Sequence, residues 1–190
     1  MDLELYKQIV STLSPTVRLR HDVDVSLDAA EVIARIDAEN HRPSFFYFRA
    51  DNKYYGINRS KLARFTNLGH YVGAHIDSEY ILNASDLCGS LEAVRQDHPY
   101  FNSFTIHINT PWTNNLNRPT CLGFRNDNIC PDGYVSDARG IMPEIPTKGV
   151  LNLHPEWWVY PGNSPKEKLE YYFNQQKEKC IKEILPDLHS

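Results

Sequence analysis

A chain of 190 residues has the length of one domain and can bury a core without disulfide or metal staples. With 41% hydrophobic and 23% charged residues it is not a disordered chain, and a net charge of -4 argues against a basic nucleic-acid binder. No run of about 18 apolar residues is present to form a membrane-spanning helix. The acidic start Met-Asp-Leu-Glu lacks the basic-then-apolar order of a secretory signal. A cytoplasmic location is therefore expected, with Cys88, Cys121, Cys130 and Cys180 as reduced thiols, while a Cys121–Cys130 bridge stays open.

In chain order, residues 2–13 carry Leu3, Tyr6, Val10 and Leu13 on one helical stripe. Val17 to Val25 reads as a strand, and Ser26 as the cap of a helix whose apolar face is Ala29, Val32, Ile33 and Ile36. Ser44 to Phe48 is an aromatic strand. Ser60 to Leu68 is a helix closed by Gly69. Tyr71 to Ile76 is a strand, Asn83 to Gln96 a helix, and Phe104 to Ile108 a strand. Asn109 to Pro131 reads as a long irregular excursion, of a length that usually carries function. Tyr134 to Ala138 and Val150 to Leu153 complete the strands. A helix over Ser164 to Leu185 should bury Leu169, Tyr172, Phe173, Cys180, Ile181, Ile184 and Leu185. Alternation of strands and helices predicts an α/β fold with parallel pairing, and chemistry at the C-terminal strand ends.

Asp22, Asp24, Arg49, His75, His107, Asn109, Asp137 and His154 stand at those ends. Asp22 and Asp24 are two apart, so both point to one face of a strand, together with Arg20. Paired carboxylates repel, and a divalent cation relieves the repulsion; a solvated strand end is the plainer alternative. Gly73 and Ala74 leave room beside His75, which suits either a metal ligand or a structural histidine. His154, after an apolar strand, suits either a proton donor or a strand cap. Trp157 and Trp158 suit either ligand stacking or the core.

Four blocks in order, Arg-His-Asp-Val-Asp (20–24), Phe-Phe-Tyr-Phe-Arg (45–49), Leu-Gly-His-Tyr-Val-Gly-Ala-His (68–75) and Leu-His-Pro-Glu-Trp-Trp (153–158), resemble the polysaccharide deacetylase superfamily. This is the NodB-homology group, carbohydrate esterase family 4. The resemblance spans residues 17 to 160 of a single domain read over 1–190. It is nearest the branch with His-Asp-Val-Asp and His-Pro-Glu-Trp-Trp motifs, found in surface-polysaccharide and O-antigen (lipopolysaccharide) biosynthesis. It implies an incomplete or distorted (β/α) barrel that hydrolyses N-acyl groups of amino sugars with a divalent metal, expected to be zinc. By the same resemblance Asp22 is the general base, Asp24 and His75 are metal ligands, His154 is the general acid, and Asp137 orients it.

The family's second metal-binding histidine falls here on Glu79, so the third ligand is Glu79, Asp77 or His107, with His107 preferred for its reach from the neighbouring strand. The arginine that pairs with the catalytic aspartate is Arg20, Arg49 or Arg125. Arg49, Trp112, Arg125 and Trp157 are the expected substrate contacts, with Asn114 and Asn115 beside Trp112. The resulting expectation is a metal-dependent N-deacetylase or N-deformylase of a small amino-sugar substrate, with no nucleic-acid partner. The alternatives are a hydrolase of a non-sugar amide on the same fold, or an inactive carbohydrate-binding or scaffold protein.

Overall fold

A computed structural model describes residues 1–50, 54–77, 84–107, 120–121, 123–128 and 130–184, without the side chains of 84–86, 120, 121 and 139. Helix α1 (Leu3–Thr12) precedes β1 (Val17–Val23), α2 (Leu27–Glu39), β2 (Phe45–Arg49), α3 (Arg59–Asn67), β3 (Tyr71–Asp77), α4 (Ala84–Asp97) and β4 (Ser103–His107). The short strands β5 (Thr120–Cys121), β6 (Phe124–Asn126) and β7 (Tyr134–Ser136) follow, then β8 (Gly149–Leu153), a short helix Glu156–Val159 and a C-terminal helix Pro165–Ile184. The first three helices start where a side chain takes up an orphan backbone N–H: Asp2 accepts from Leu5, Ser26 from Ala29 and Asn58 from Lys61. Gly69, at φ +88°, closes α3 in the left-handed conformation that glycine alone adopts freely.

The sheet order is β5-β6-β4-β3-β2-β1-β8-β7. Every pairing is parallel except the β5–β6 edge. With helices packed on the outer face, this is the incomplete α/β barrel expected.

The period-2 alternation of the strands sorts the side chains. Val17, Leu19 and Val23, Phe46 and Phe48, Ala74 and Ile76, Phe104 and Ile106, and Leu151 and Leu153 form one buried cluster with Tyr6, Ile33, Phe65 and Leu91 from the helices. Each large apolar side chain so buried contributes about 1.5–3 kcal/mol. The opposite parity is polar: Arg20 and Asp22, Tyr47 and Arg49, His75, Thr105 and Asn152 are all buried on the inner face.

The structure corrects several expectations. β1 stops at Val23, which leaves Asp24 just beyond it. The stretch Asn109–Pro131 contains the β5–β6 pair, whose strands are too short to show a period. The Glu156–Val159 helix was not expected. In the C-terminal helix only Lys168 and Tyr172 are buried, whereas Phe173, Ile181 and Ile184 are exposed, because the helix meets the body through its first turns. Cys88 is disulfide-bonded and Cys130 and Cys180 are free, so the chain carries neither four thiols nor a Cys121–Cys130 bridge. No helix among the described residues is long and apolar enough to cross a membrane.

Candidate active site

Asp24, one residue past β1, meets His75 of β3 and His107 at the end of β4. Its Oδ1 lies 3.3 Å from His75 Nε2 and 3.3 Å from His107 Nδ1. The two ring nitrogens are 3.1 Å apart. One ligand atom from each residue falls within a 4.8 Å cluster. Asp24 Oδ1 is buried and has no hydrogen bond of good geometry. Burial pushes the Asp24 carboxyl up, but its contacts with His107 and His75 outweigh this and hold it well below its usual range. His75 Nδ1 lies 2.7 Å from Thr105 Oγ1, which fixes the ring with Nε2 turned toward Asp24 and His107. One carboxylate and two imidazoles are a donor set that suits zinc and related divalent ions.

Asp77, an alternative third ligand, is engaged by Arg49 Nη2 at 2.6 Å. Glu79 lies outside the described residues, as do Trp112, Asn114 and Asn115.

Asp22 stands on the other side of His75, with Oδ1 4.0 Å from Nδ1. Arg20 grips it in bidentate fashion, Nε to Oδ1 at 2.9 Å and Nη2 to Oδ2 at 2.6 Å, and Asn152 Nδ2 adds a bond of 2.9 Å to Oδ2. Burial raises the Asp22 pKa, but the charge of Arg20 and, secondarily, of His75 bring it down to about 2. Asp22 is thus a carboxylate with fixed orientation. Arg20 is itself held over Tyr47 and Tyr134, with its guanidinium 5.3 and 5.5 Å from the ring centres.

His154 follows β8, with Nε2 3.7 Å from Asp24 Oδ2. Its Nδ1–H donates to Asp137 Oδ1 at 2.6 Å. Asp137 follows β7 and also accepts from the His154 backbone N–H, at 3.0 and 3.1 Å, and from Trp158 Nε1 at 2.6 Å. Burial lowers the His154 pKa, but the Asp137 bond and the charges of Asp137 and Asp24 lift it to about 10. These charges favour the protonated ring, whose Nε2 is turned toward Asp24 of the Asp24, His75 and His107 cluster.

The remaining expected contacts lie around this centre. Arg49 pairs alongside His75 in the β2–β3 ladder and holds Asp77. Arg125 is bound to Asp127 through two bonds of 2.8 and 2.9 Å and stands over Phe45, below the level of the cluster. Trp157 is half-buried, and Trp158 is in the core. Asn152, Thr105 and Glu156 were missed. The signal for the first two was a polar residue at an inner parity position of an apolar strand.

No family model and no characterised protein sequence matches the chain. Solved structures do match. A family 4 carbohydrate esterase from Bacillus anthracis superposes with a TM-score of 0.52 at 15% identity, over 93% of this chain and 86% of that one. The chitin deacetylase from the fungal pathogen Colletotrichum lindemuthianum superposes with a TM-score of 0.50 at 17% identity, over 76% of this chain and 75% of that one. At these identities the likeness is one of fold: the chain has the incomplete barrel of these two enzymes.

Proposed function

We propose that the chain is a metal-dependent deacylase of the polysaccharide deacetylase superfamily, which removes an N-acetyl or N-formyl group from an amino sugar. The observation that carries this reading is the Asp24, His75 and His107 cluster, flanked by a fixed carboxylate and a cationic imidazole. A divalent cation such as zinc, held by those three residues, would supply a Lewis acid for the acyl carbonyl and acidify water. Asp22 takes the proton from the attacking water, its orientation kept by Arg20 and Asn152. His154, charged and held by Asp137, gives a proton to the departing sugar nitrogen. Water and amide thereby become carboxylic acid and amine: one water proton passes to Asp22, the other stays on the released acid, and the nitrogen takes its proton from His154.

Trp157, close to His154 in the chain, is assigned the contact with the sugar ring. Arg49 holds Asp77 beside His75, whereas Arg125 is held on Asp127 below the level of the cluster. The His-Asp-Val-Asp and His-Pro-Glu-Trp-Trp motifs support a role in surface-polysaccharide synthesis.

The test pairs calorimetric zinc titration with acetate or formate release from N-acylated monosaccharides. One tight site is expected, and Asp24→Ala or His107→Ala should weaken it by about a hundredfold or more without unfolding the chain. Wild-type zinc affinity in both variants would overturn the site. Tight zinc with turnover only of non-sugar amides would move the assignment to that class, and zinc-free protein would point to a binding or scaffold role.

A further inference from the structure

β1 breaks its own alternation at one residue. His21 shares the outward face of Leu19 and Val23 and is wholly buried among apolar side chains. Its Nδ1–H donates to the Leu153 carbonyl at 3.2 Å. Its Nε2 meets Asp37 Oδ2 at 2.9 Å. Asp37, also wholly buried, accepts from Tyr6 Oη at 2.6 Å and from Ser44 Oγ at 2.7 Å. An apolar residue would fill the His21 position at lower desolvation cost, so the bond to Leu153 needs a reason.

That reason lies one atom further along. The Leu153 carbonyl and the His154 N–H belong to the same planar peptide unit and point to opposite sides of it. His21 holds the carbonyl side, and the Asp137 carboxylate holds the N–H side at 3.0 and 3.1 Å. The plane cannot turn without breaking a bond on each face, and the His154 Cα is attached to it. A second connection reaches the same place, since the Tyr6 ring stands edge-on to Trp158, whose Nε1 donates to Asp137.

We propose that His21, anchored by Asp37, is a positioning residue that clamps the Leu153–His154 peptide and so aims the His154 imidazole. This rests on the reading of His154 as the proton donor. Asparagine places its amide nitrogen near the imidazole Nδ1 position and can keep the Leu153 bond. Glutamine reaches the Nε2 position and keeps the Asp37 bond instead.

Two measurements serve the test. The first is the downfield proton resonance of the His154 Nδ1–H on Asp137, read by NMR on histidine-labelled protein and independent of turnover. The second is kcat and KM for N-acyl sugar hydrolysis by the metal-loaded enzyme. His21→Gln should move or broaden the resonance and lower kcat about tenfold, with KM unchanged, as expected for a misaimed group. His21→Asn should keep both near wild type. Equal effects of the two variants, or an unmoved resonance in His21→Gln, overturn the clamp. A moved resonance with no turnover in any protein, wild type included, upholds the clamp and rejects the deacylase reading instead. If neither variant folds, Tyr6→Phe, which removes one hydroxyl from Asp37 and keeps the ring on Trp158, should produce the same resonance change in weaker form, and an unmoved resonance there also overturns the clamp.

Discussion

Glu156, in the His-Pro-Glu-Trp-Trp motif, is wholly buried, and neither carboxylate oxygen has a hydrogen-bond partner of good geometry among the described residues. Burial, and next the charge of Asp24, push its pKa from 4.5 to about 8, although His154 opposes them. Folded metal-free protein therefore holds a proton on Glu156 that unfolded protein releases above pH 4.5. Because the folded value is the higher one, this group's stabilisation is complete below pH 4.5 and is lost as the pH rises through 8. Glutamine does not titrate. Thermal melts of metal-free Glu156→Gln should thus gain on wild type as the pH is raised from 5 to 8.5. A difference in Tm that stays constant with pH would mean that Glu156 is ionised throughout. Asp24 and His75, proposed here as metal ligands, stood out in the sequence because strand ends and a resemblance to a family motif marked them, whereas His107 stood beside Asp77 and Glu79 as one of three alternatives. Glu156 was not, since nothing in a sequence distinguishes a buried glutamate from an exposed one on a short helix.

At the level of the strands, β3 depends on a side chain that is missing. Gly73 was expected to leave room for His75. The room is taken: a Cβ on Gly73 would stand 2.6 Å from Tyr47 Cε1 and 2.8 Å from the Ser103 carbonyl oxygen. The ring could shift, but the carbonyl belongs to a neighbouring strand and cannot. Tyr47 also donates to Asp127 and lies under Arg20, so any shift of its ring reaches the Asp22 clamp. Gly73→Ala should cost about 1–3 kcal/mol in urea unfolding, as overpacking does, and should lower kcat more than it alters zinc affinity. Unchanged stability would show that the strands separate freely at that point. The long strands could be read from period, because their outward residues are apolar apart from His21 in β1. The β5–β6 pair could not, since two or three residues carry no period. The pairing of Arg20 with Asp22, rather than Arg49 or Arg125, is set by which guanidinium shares the β1 inner face, and three candidates at similar sites left it open.

Over the whole molecule, Met1 meets the first turns of the C-terminal helix. Lys168, buried in the C-terminal helix, donates to the Met1 carbonyl at 3.0 Å and to the Tyr160 carbonyl at 2.5 Å. Burial lowers its pKa. Lys168→Met keeps the stem and leaves both carbonyls unsatisfied, at about 1–3 kcal/mol, or a Tm several degrees lower. Deletion of the residues after Asn174, of which the described ones, 175–184, include no buried side chain, should shift the Tm by far less. Comparable losses in the two proteins would place unrecognised packing on the distal helix. The sheet order has a further effect, on synthesis. Val17 to His21 pair with Gly149 to Leu153, and His21 reaches its Leu153 partner across 132 residues of chain. At ribosomal speeds of about 5–20 residues per second, β1 waits on the order of ten seconds with one edge of its ladder open. Leu19 and Val23, fully covered in the finished barrel, stay beside an unpaired strand edge throughout that interval. An interior strand whose second neighbour lies far along the chain is thus the one whose edge stays open longest while the chain is being made.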